Sequence, residues 1–248
     1  MGTSGRCQAN DVIHVGKDLH MMKRIVTAVL LGLFAIPVFA SDFTVKSVKG
    51  VVEVRRGVNE EWKNLKAGDS LKPEDTMRTG KGATALIQSV SKKLSVPELT
   101  MIDISDVRNL TQEEFLLKLA MENILSVPQR NNEETIIPSA TVLRGSNMEK
   151  DALEATRPFD VGTMQLQGAK VLFDNAFFGT SILKTKETFR IYPELRLNYE
   201  ARILTAQAFE KMRLTNEAVA EYALLAKEDL TSAQQKIVQG SIERLKQK

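Results

Sequence analysis

The sequence predicts an α+β fold in two domains, a small all-β domain followed by an α-helical hairpin array. Three observations predict it. Apolar and polar residues alternate with period two between about Phe43 and Val107, broken by turn signals about every ten residues. Thr111-Gln112-Glu113-Glu114 reads as a helix start. From about Thr163 to the end, apolar residues recur at helical spacing.

The 248 residues carry 34 Lys and Arg against 31 Asp and Glu, a net charge of +3. That balance argues against a general nucleic-acid binder, which concentrates basic residues. The one Cys, Cys7, and both His, His14 and His20, lie in the first 20 residues. Residues 41–248 therefore hold no Cys or His zinc ligands, no thiol, and no Ser-His or Cys-His nucleophile pair. Only carboxylate, Tyr, Lys or Ser-Lys chemistry is left to an enzyme, and no clustered signature of it is visible. The reading is non-enzymatic, with no cofactor and no metal.

Residues 1–20 are polar and without period, and are read as a mis-start or leader, with Met21 or Met22 as the natural start. Residues 21–40 have the layout of a secretory signal peptide. Lys23-Arg24 is the basic part, Ile25–Phe39 the apolar run, and a cut falls between Ala40 and Ser41. The run is shorter than the roughly 20 residues that span a bilayer, and Pro37 interrupts it. The expectation is a processed, periplasmic protein with no stable membrane span.

In the β domain, residues 41–107, Val52 and Val54 alternate with Glu53 and Arg55, and Ile102 and Ile104 with Asp103 and Ser105. Gly50, Gly57, Gly68-Asp69, Pro73 and Gly80-Lys81-Gly82 mark turns. Such short strands argue for a sandwich or a barrel-like sheet. Trp62, the only Trp, is expected as a core anchor. Gly80 is expected at a positive φ, with Thr79 bonding a local backbone group. Arg78 is either a surface binding contact or the ion-pair partner of an acid such as Asp75.

These residues carry a resemblance. Val48-Lys49-Gly50-Val51-Val52-Glu53-Val54, then Trp62, Leu65, Gly68, Leu71, Asp75 and Met77-Arg78-Thr79-Gly80, with Ala83 and Ala85-Leu86, resemble a FecR-type domain. The likeness covers about 60 residues and implies a periplasmic β domain. The best-known members relay signals from an outer-membrane transporter to a cytoplasmic sigma factor. Those members carry a sigma-binding domain before a retained membrane helix. No domain-sized segment stands before the apolar run, so a transmembrane regulator is the disfavoured alternative.

Residues 108–128 are read as a covering helix. Thr111 is its N-cap, Glu114 closes a capping box, and Phe115, Leu116, Leu119, Ala120 and Ile124 recur at helical spacing. Its expected role is to cover a face or edge of the β domain. Residues 129–161 form a polar connector with breakers at Pro138, Gly145 and Pro158, one short strand at Ala140–Leu143, and Glu133-Glu134 as a solvated turn.

Residues 162–248 contain a near-repeat. Ala206, Phe209, Ala218 and Tyr222 fall at packing spacings that resemble those of a tetratricopeptide repeat, and Ala169, Leu172, Ser181 and Thr185 stand 37 residues upstream. Pro193 ends the first unit, Arg213 stands where that family has Gly, and a helix from Thr231 to Lys246 caps the stack. The resemblance implies that the first helix of each hairpin lines a concave groove. That register brings Lys170, Phe173 and Asp174, and Gln207, Glu210 and Lys211, to a partner-binding face. Two repeats and a cap fall short of the usual three, so the array leans on the β domain or pairs with another chain. The expected partner is an envelope protein or a peptidoglycan component, not a nucleic acid, with a homo-oligomer also open.

Overall fold

The computed structural model describes Gly2 and residues 43–90, 92–127 and 158–247. The cleavage site Ala40–Ser41 and the connector with Glu133, Glu134 and its short strand lie outside the described residues. From Phe43 onward the described residues belong to one compact unit.

The all-β part is a sandwich of two four-stranded antiparallel sheets. Its strands are β1 (Phe43–Lys49), β2 (Val52–Arg55), β3 (Trp62–Asn64), β4 (Ser70–Leu71), β5 (Thr76–Thr79), β6 (Thr84–Gln88), β7 (Lys93–Val96) and β8 (Met101–Asp103). One sheet has the order β4-β1-β6-β7 and the other β3-β2-β5-β8. Inward side chains alternate along each strand, as period two requires. Val45, Ile87 and Leu94 from one sheet meet Val52, Val54, Met77 and Ile102 from the other in a single core. The chain leaves the second sheet through a 3-10 turn, Ile104–Asp106, so Ile104 reaches the core from a turn and not from a strand.

Several turn residues differ from expectation. The backbone at Gly80 is not left-handed; Gly82 is, at φ 70°. Thr79 bonds across the sandwich, donating to the Pro97 carbonyl at 2.6 Å and accepting from the Thr100 amide at 3.0 Å. Gly50, at φ 73°, sits where a Cβ would stand 2.9 Å from Ala83, so close approach as well as turn geometry excludes a side chain.

Six helices follow: α1 (Gln112–Leu125), α2 (Pro158–Asp174), α3 (Phe178–Ile191), α4 (Tyr199–Lys211), α5 (Thr215–Leu225) and α6 (Ser232–Lys246). Thr111 caps α1 by accepting from the Glu114 amide at 3.1 Å. The reciprocal half of that box is replaced, because the Glu114 carboxylate pairs with Arg108 and Lys118. At α6 both halves of a capping box form between Thr231 and Gln234. Helix α2 begins at Pro158, earlier than the sequence suggests, because Pro fits a first turn where no amide partner is needed.

The 37-residue repeat is present in the backbone. Helices α3 and α5 start 37 residues apart, at Phe178 and Thr215. The turns before them are left-handed at Ala176 (φ 64°) and Arg213 (φ 61°), again 37 apart. Both turns close identically. Phe177 donates to the Leu172 carbonyl and Leu214 to the Phe209 carbonyl, each at 2.9 Å. This is the six-to-one bond of a Schellman end. All eight expected packing residues are buried, and Ser181 Oγ donates to the Ala169 carbonyl at 2.8 Å between the paired helices. The 3-10 turn Pro193–Leu197 separates the two units.

The array leans on the sandwich. Val171, Leu172 and Phe177 complete the β core. Gly168 lies so close to β8 that a Cβ there would stand 2.0 Å from the Met101 carbonyl oxygen. The covering helix behaves otherwise than expected. Phe115 and Leu119 of α1 bury into the helical core beside Ile182 and Phe209, with Phe115 and Phe209 edge to face at 6.2 Å. Helix α1 thus covers the array, not the β domain.

Candidate functional site

The first helices of the two hairpins and the capping helix share one face. There Phe173 of α2, Gln207, Glu210 and Lys211 of α4, and Ser241 and Arg244 of α6 line a cavity of about 590 Å³, with Tyr222 of α5 at its floor. Four of the six groove residues named from sequence are brought together in it. The other two stand apart. Lys170 and Asp174 pair with each other one helical turn apart, at 2.9 Å. Lys170 also borders a smaller hollow of about 120 Å³ further along α2 and α4, with Gln167 and Asn198.

Tyr222, Ser241 and Arg244 are members that sequence reading missed. Tyr222 was legible as a packing residue, and its ring is indeed buried. Its hydroxyl nevertheless donates to Glu210 Oε1 at 2.6 Å. Burial, and then that carboxylate, push the phenol well above its usual range. Arg244 grips the same carboxylate with both terminal nitrogens, at 2.8 and 3.0 Å. Glu210 is therefore neutralised in place, held by a bidentate arginine and a phenol. Lys211 is exposed and has no ion-pair partner among the described residues. Phe173 is half-buried, edge to face with Phe178 at 5.4 Å. The groove offers an aromatic edge, an amide, a cation and a fixed acid–arginine pair.

Arg78 is not on the surface. It is buried on the outer face of the second sheet, where Nε donates to Glu53 Oε2 at 2.8 Å and the guanidinium lies 4.1 Å from the Trp62 ring centre. Register puts Glu53 and Arg78 opposite each other on β2 and β5, which is why they pair. Asp75 pairs with Arg56 instead, at 2.6 Å. Trp62 is half-buried on an edge strand, outside the main core, with Arg55 and Arg78 stacked on it.

A second polar cluster lies between sandwich and array. Lys184 of α3 is buried and donates to Asp103 at 2.6 Å and Glu187 at 3.1 Å. Burial alone would lower its pKa; Asp103, Asp106 and Glu187 outweigh that and raise it. Asp103 resists its own burial and stays below the ordinary carboxylate value, because Lys184 and Thr76 hold it. Asp106 has no such bonds among the described residues, and burial pushes it up to about 6. Lys92 adds a further tie, 4.0 Å above the Phe177 ring. These contacts fix the array to the sandwich.

Among the described residues no group of three His, Cys, Asp or Glu could hold a metal ion. No helix among them is long and apolar enough to cross a membrane. Compared with known proteins, the chain matches no family model, no curated protein and no solved structure.

Proposed function

We propose that this protein is a non-enzymatic cell-envelope interaction protein, a FecR-like β domain fused to a tetratricopeptide-like adaptor. In this reading it is secreted to the periplasm after a cut between Ala40 and Ser41. The concave face then binds an envelope protein or a peptidoglycan component. The observation that carries the reading is the cavity of about 590 Å³ on the shared face of α2, α4 and α6. Ligand pockets of that size are ordinary for binding sites. In the groove Tyr222 and Arg244 are both bonded to Glu210, so this acid is held as part of the packing, which favours binding over catalysis. The absence of His and Cys from residues 41–248 supports the same reading.

The test is a pull-down from envelope extract with the wild-type protein and a Phe173→Ala, Lys211→Ala variant, with peptidoglycan co-sedimentation in parallel. The expected result is a protein or glycan retained by the wild type and lost with the variant. Retention unchanged by both substitutions would remove the groove from the proposal. Turnover of a glycan or peptide substrate by the purified protein would overturn the non-enzymatic reading.

A further inference from the structure

Helix α1 is apolar on two opposite sides. Phe115 and Leu119 face the helical core. At about 100° per residue, Leu117 and Ile124 lie about 180° away from Phe115. Leu117 is 64% and Ile124 72% exposed, with Met121 at 55% and Leu125 at 60% beside them. Leu116 and Leu125 lie on opposite flanks of the helix, so the outward patch is Leu117, Met121 and Ile124 with Val127, apolar surface on the order of 400 Å², within the range of the largest patch of a monomer. A helix that is hydrophobic all round is normally buried all round.

We propose that this outer face of α1 is a twofold interface with a second copy of this chain. The spacing is self-complementary. An antiparallel crossing centred between Ala120 and Met121 sets Leu117 against the partner's Ile124, and Ile124 against the partner's Leu117. Ala120 meets the partner's Met121 at the centre, where a small residue leaves room for a long flexible one. Both contacts occur twice, as an isologous interface demands. The outward patch is about half of the roughly 800 Å² that each partner contributes to a standard interface, as suits a weak, reversible dimer. A membrane surface fits poorly. Interfacial helices carry Lys and Arg on their polar edge, whereas α1 has Glu113, Glu114 and Glu122 against one Lys118. The groove of α2, α4 and α6 does not include these residues, so the dimer stands or falls independently of it.

Sedimentation velocity and light scattering of the purified protein test the proposal. The expected result is a reversible dimer at tens of micromolar that a Leu117→Ser, Ile124→Ser variant loses while its circular dichroism and melting stay unchanged. A Cys7→Ser, Ala120→Cys variant should be crosslinked to a dimer by a short bismaleimide, and a Cys7→Ser, Gly240→Cys variant should not. A protein that stays monomeric overturns the proposal. So does a dimer that survives the double serine variant, or a monomer in which the thiol of the Ala120→Cys variant is shielded from reagent.

Discussion

Replacing Gly168 by Ala tests the docking of array on sandwich. A Cβ at 168 would stand 2.0 Å from the Met101 carbonyl oxygen and 3.1 Å from its carbon. Both atoms are strand backbone, so no rotamer change can relieve the clash. Ordinary contact begins near 3.4 Å, and α2 and β8 must separate by more than 1 Å or so. A radial gap of about that size forfeits a quarter to a half of each contact along it. Val171 and Leu172, which complete the β core one turn further on, lose part of their packing. The expected cost is about 3 kcal/mol, the upper range for overpacking. Gly240→Ala is the matched control. Gly240 lies in α6 with nothing within 4 Å of an added Cβ, so Ala there should gain about 0.5–1 kcal/mol of helix propensity. Urea unfolding should be followed by Trp62 fluorescence, which reports the sandwich, and by far-ultraviolet circular dichroism, which reports the helices. In the wild type the two transitions should coincide, since the parts share a core. A Gly168→Ala protein within about 1 kcal/mol of the Gly240→Ala protein would refute the close approach of α2 to β8.

Three further outcomes follow from the geometry. Asp106 faces Lys184, Lys118, Asp103 and Glu187, and titrates near 6 in the folded protein against 3.8 for the unfolded group. A raised carboxyl stabilises fully below pH 3.8 and loses that contribution as pH rises through 6, so Asp106→Asn should remove a decline of at most about 3 kcal/mol between pH 4 and 7. Parallel stability–pH curves for wild type and variant would contradict this. Arg78→Met leaves Glu53 buried without its guanidinium and should cost about 3–5 kcal/mol, whereas the double variant with Glu53→Leu should recover much of it; strictly additive losses in thermal melts would argue against the pair. Arg213→Gly relieves a left-handed backbone at φ 61°, and should raise stability by about 0.5–1 kcal/mol as strain relief exceeds lost backbone restriction; a loss of that size in urea midpoints would show that the turn is unstrained.

What the sequence made legible was local. The Thr111 and Thr231 caps depend on residues within one turn, and both were visible as helix starts, the first as a capping box. The repeat positions were visible because small residues recur 37 apart, Ala169 with Ala206 and Ser181 with Ala218, beside the larger Leu172 and Phe209. Arg213 stood out as an Arg where Gly is usual, and the left-handed turn there is the physical reason. Long-range choices were not legible. Period 3.6 says that Phe115 and Leu119 need cover, but not that α4 and α3 supply it. For Arg78 an ion pair was one of two readings but the acid named was Asp75, since strand register, which sets it opposite Glu53, is not written in either strand alone. Trp62 misled for a similar reason: its size suggests a core, but its place on an edge strand suits stacking beneath two arginines. In the groove, Tyr222 and Arg244 were missed because their shared partner, Glu210, lies on another helix.

Two hairpins and a cap are fewer than a free-standing solenoid needs, and the way this chain solves that problem shapes its groove. A repeat array is stabilised by nearest-neighbour interfaces, so an end repeat without a neighbour is the weak point. Here α2 has the sandwich as its neighbour, through Val171, Leu172 and Gly168. On the other side α1 covers α3, tied by Arg190 to Glu122 at 2.6 Å. Lys186–Glu221 and Arg202–Glu228 pair the cations between the later helices, around a hollow of about 400 Å³ bordered by α1, α3, α4 and α5. At the far end α6 closes α5. Each end of the array is thus covered by the protein itself, and α1 covers part of the second-helix side. The face of α2, α4 and α6 adds to that stabilisation through Glu210, Tyr222 and Arg244, and through Phe173 packed edge to face on Phe178. Exposed Lys211 can therefore change without loss of fold, whereas Phe173 contributes packing, so Lys211 is the position on this face that separates surface chemistry from stability.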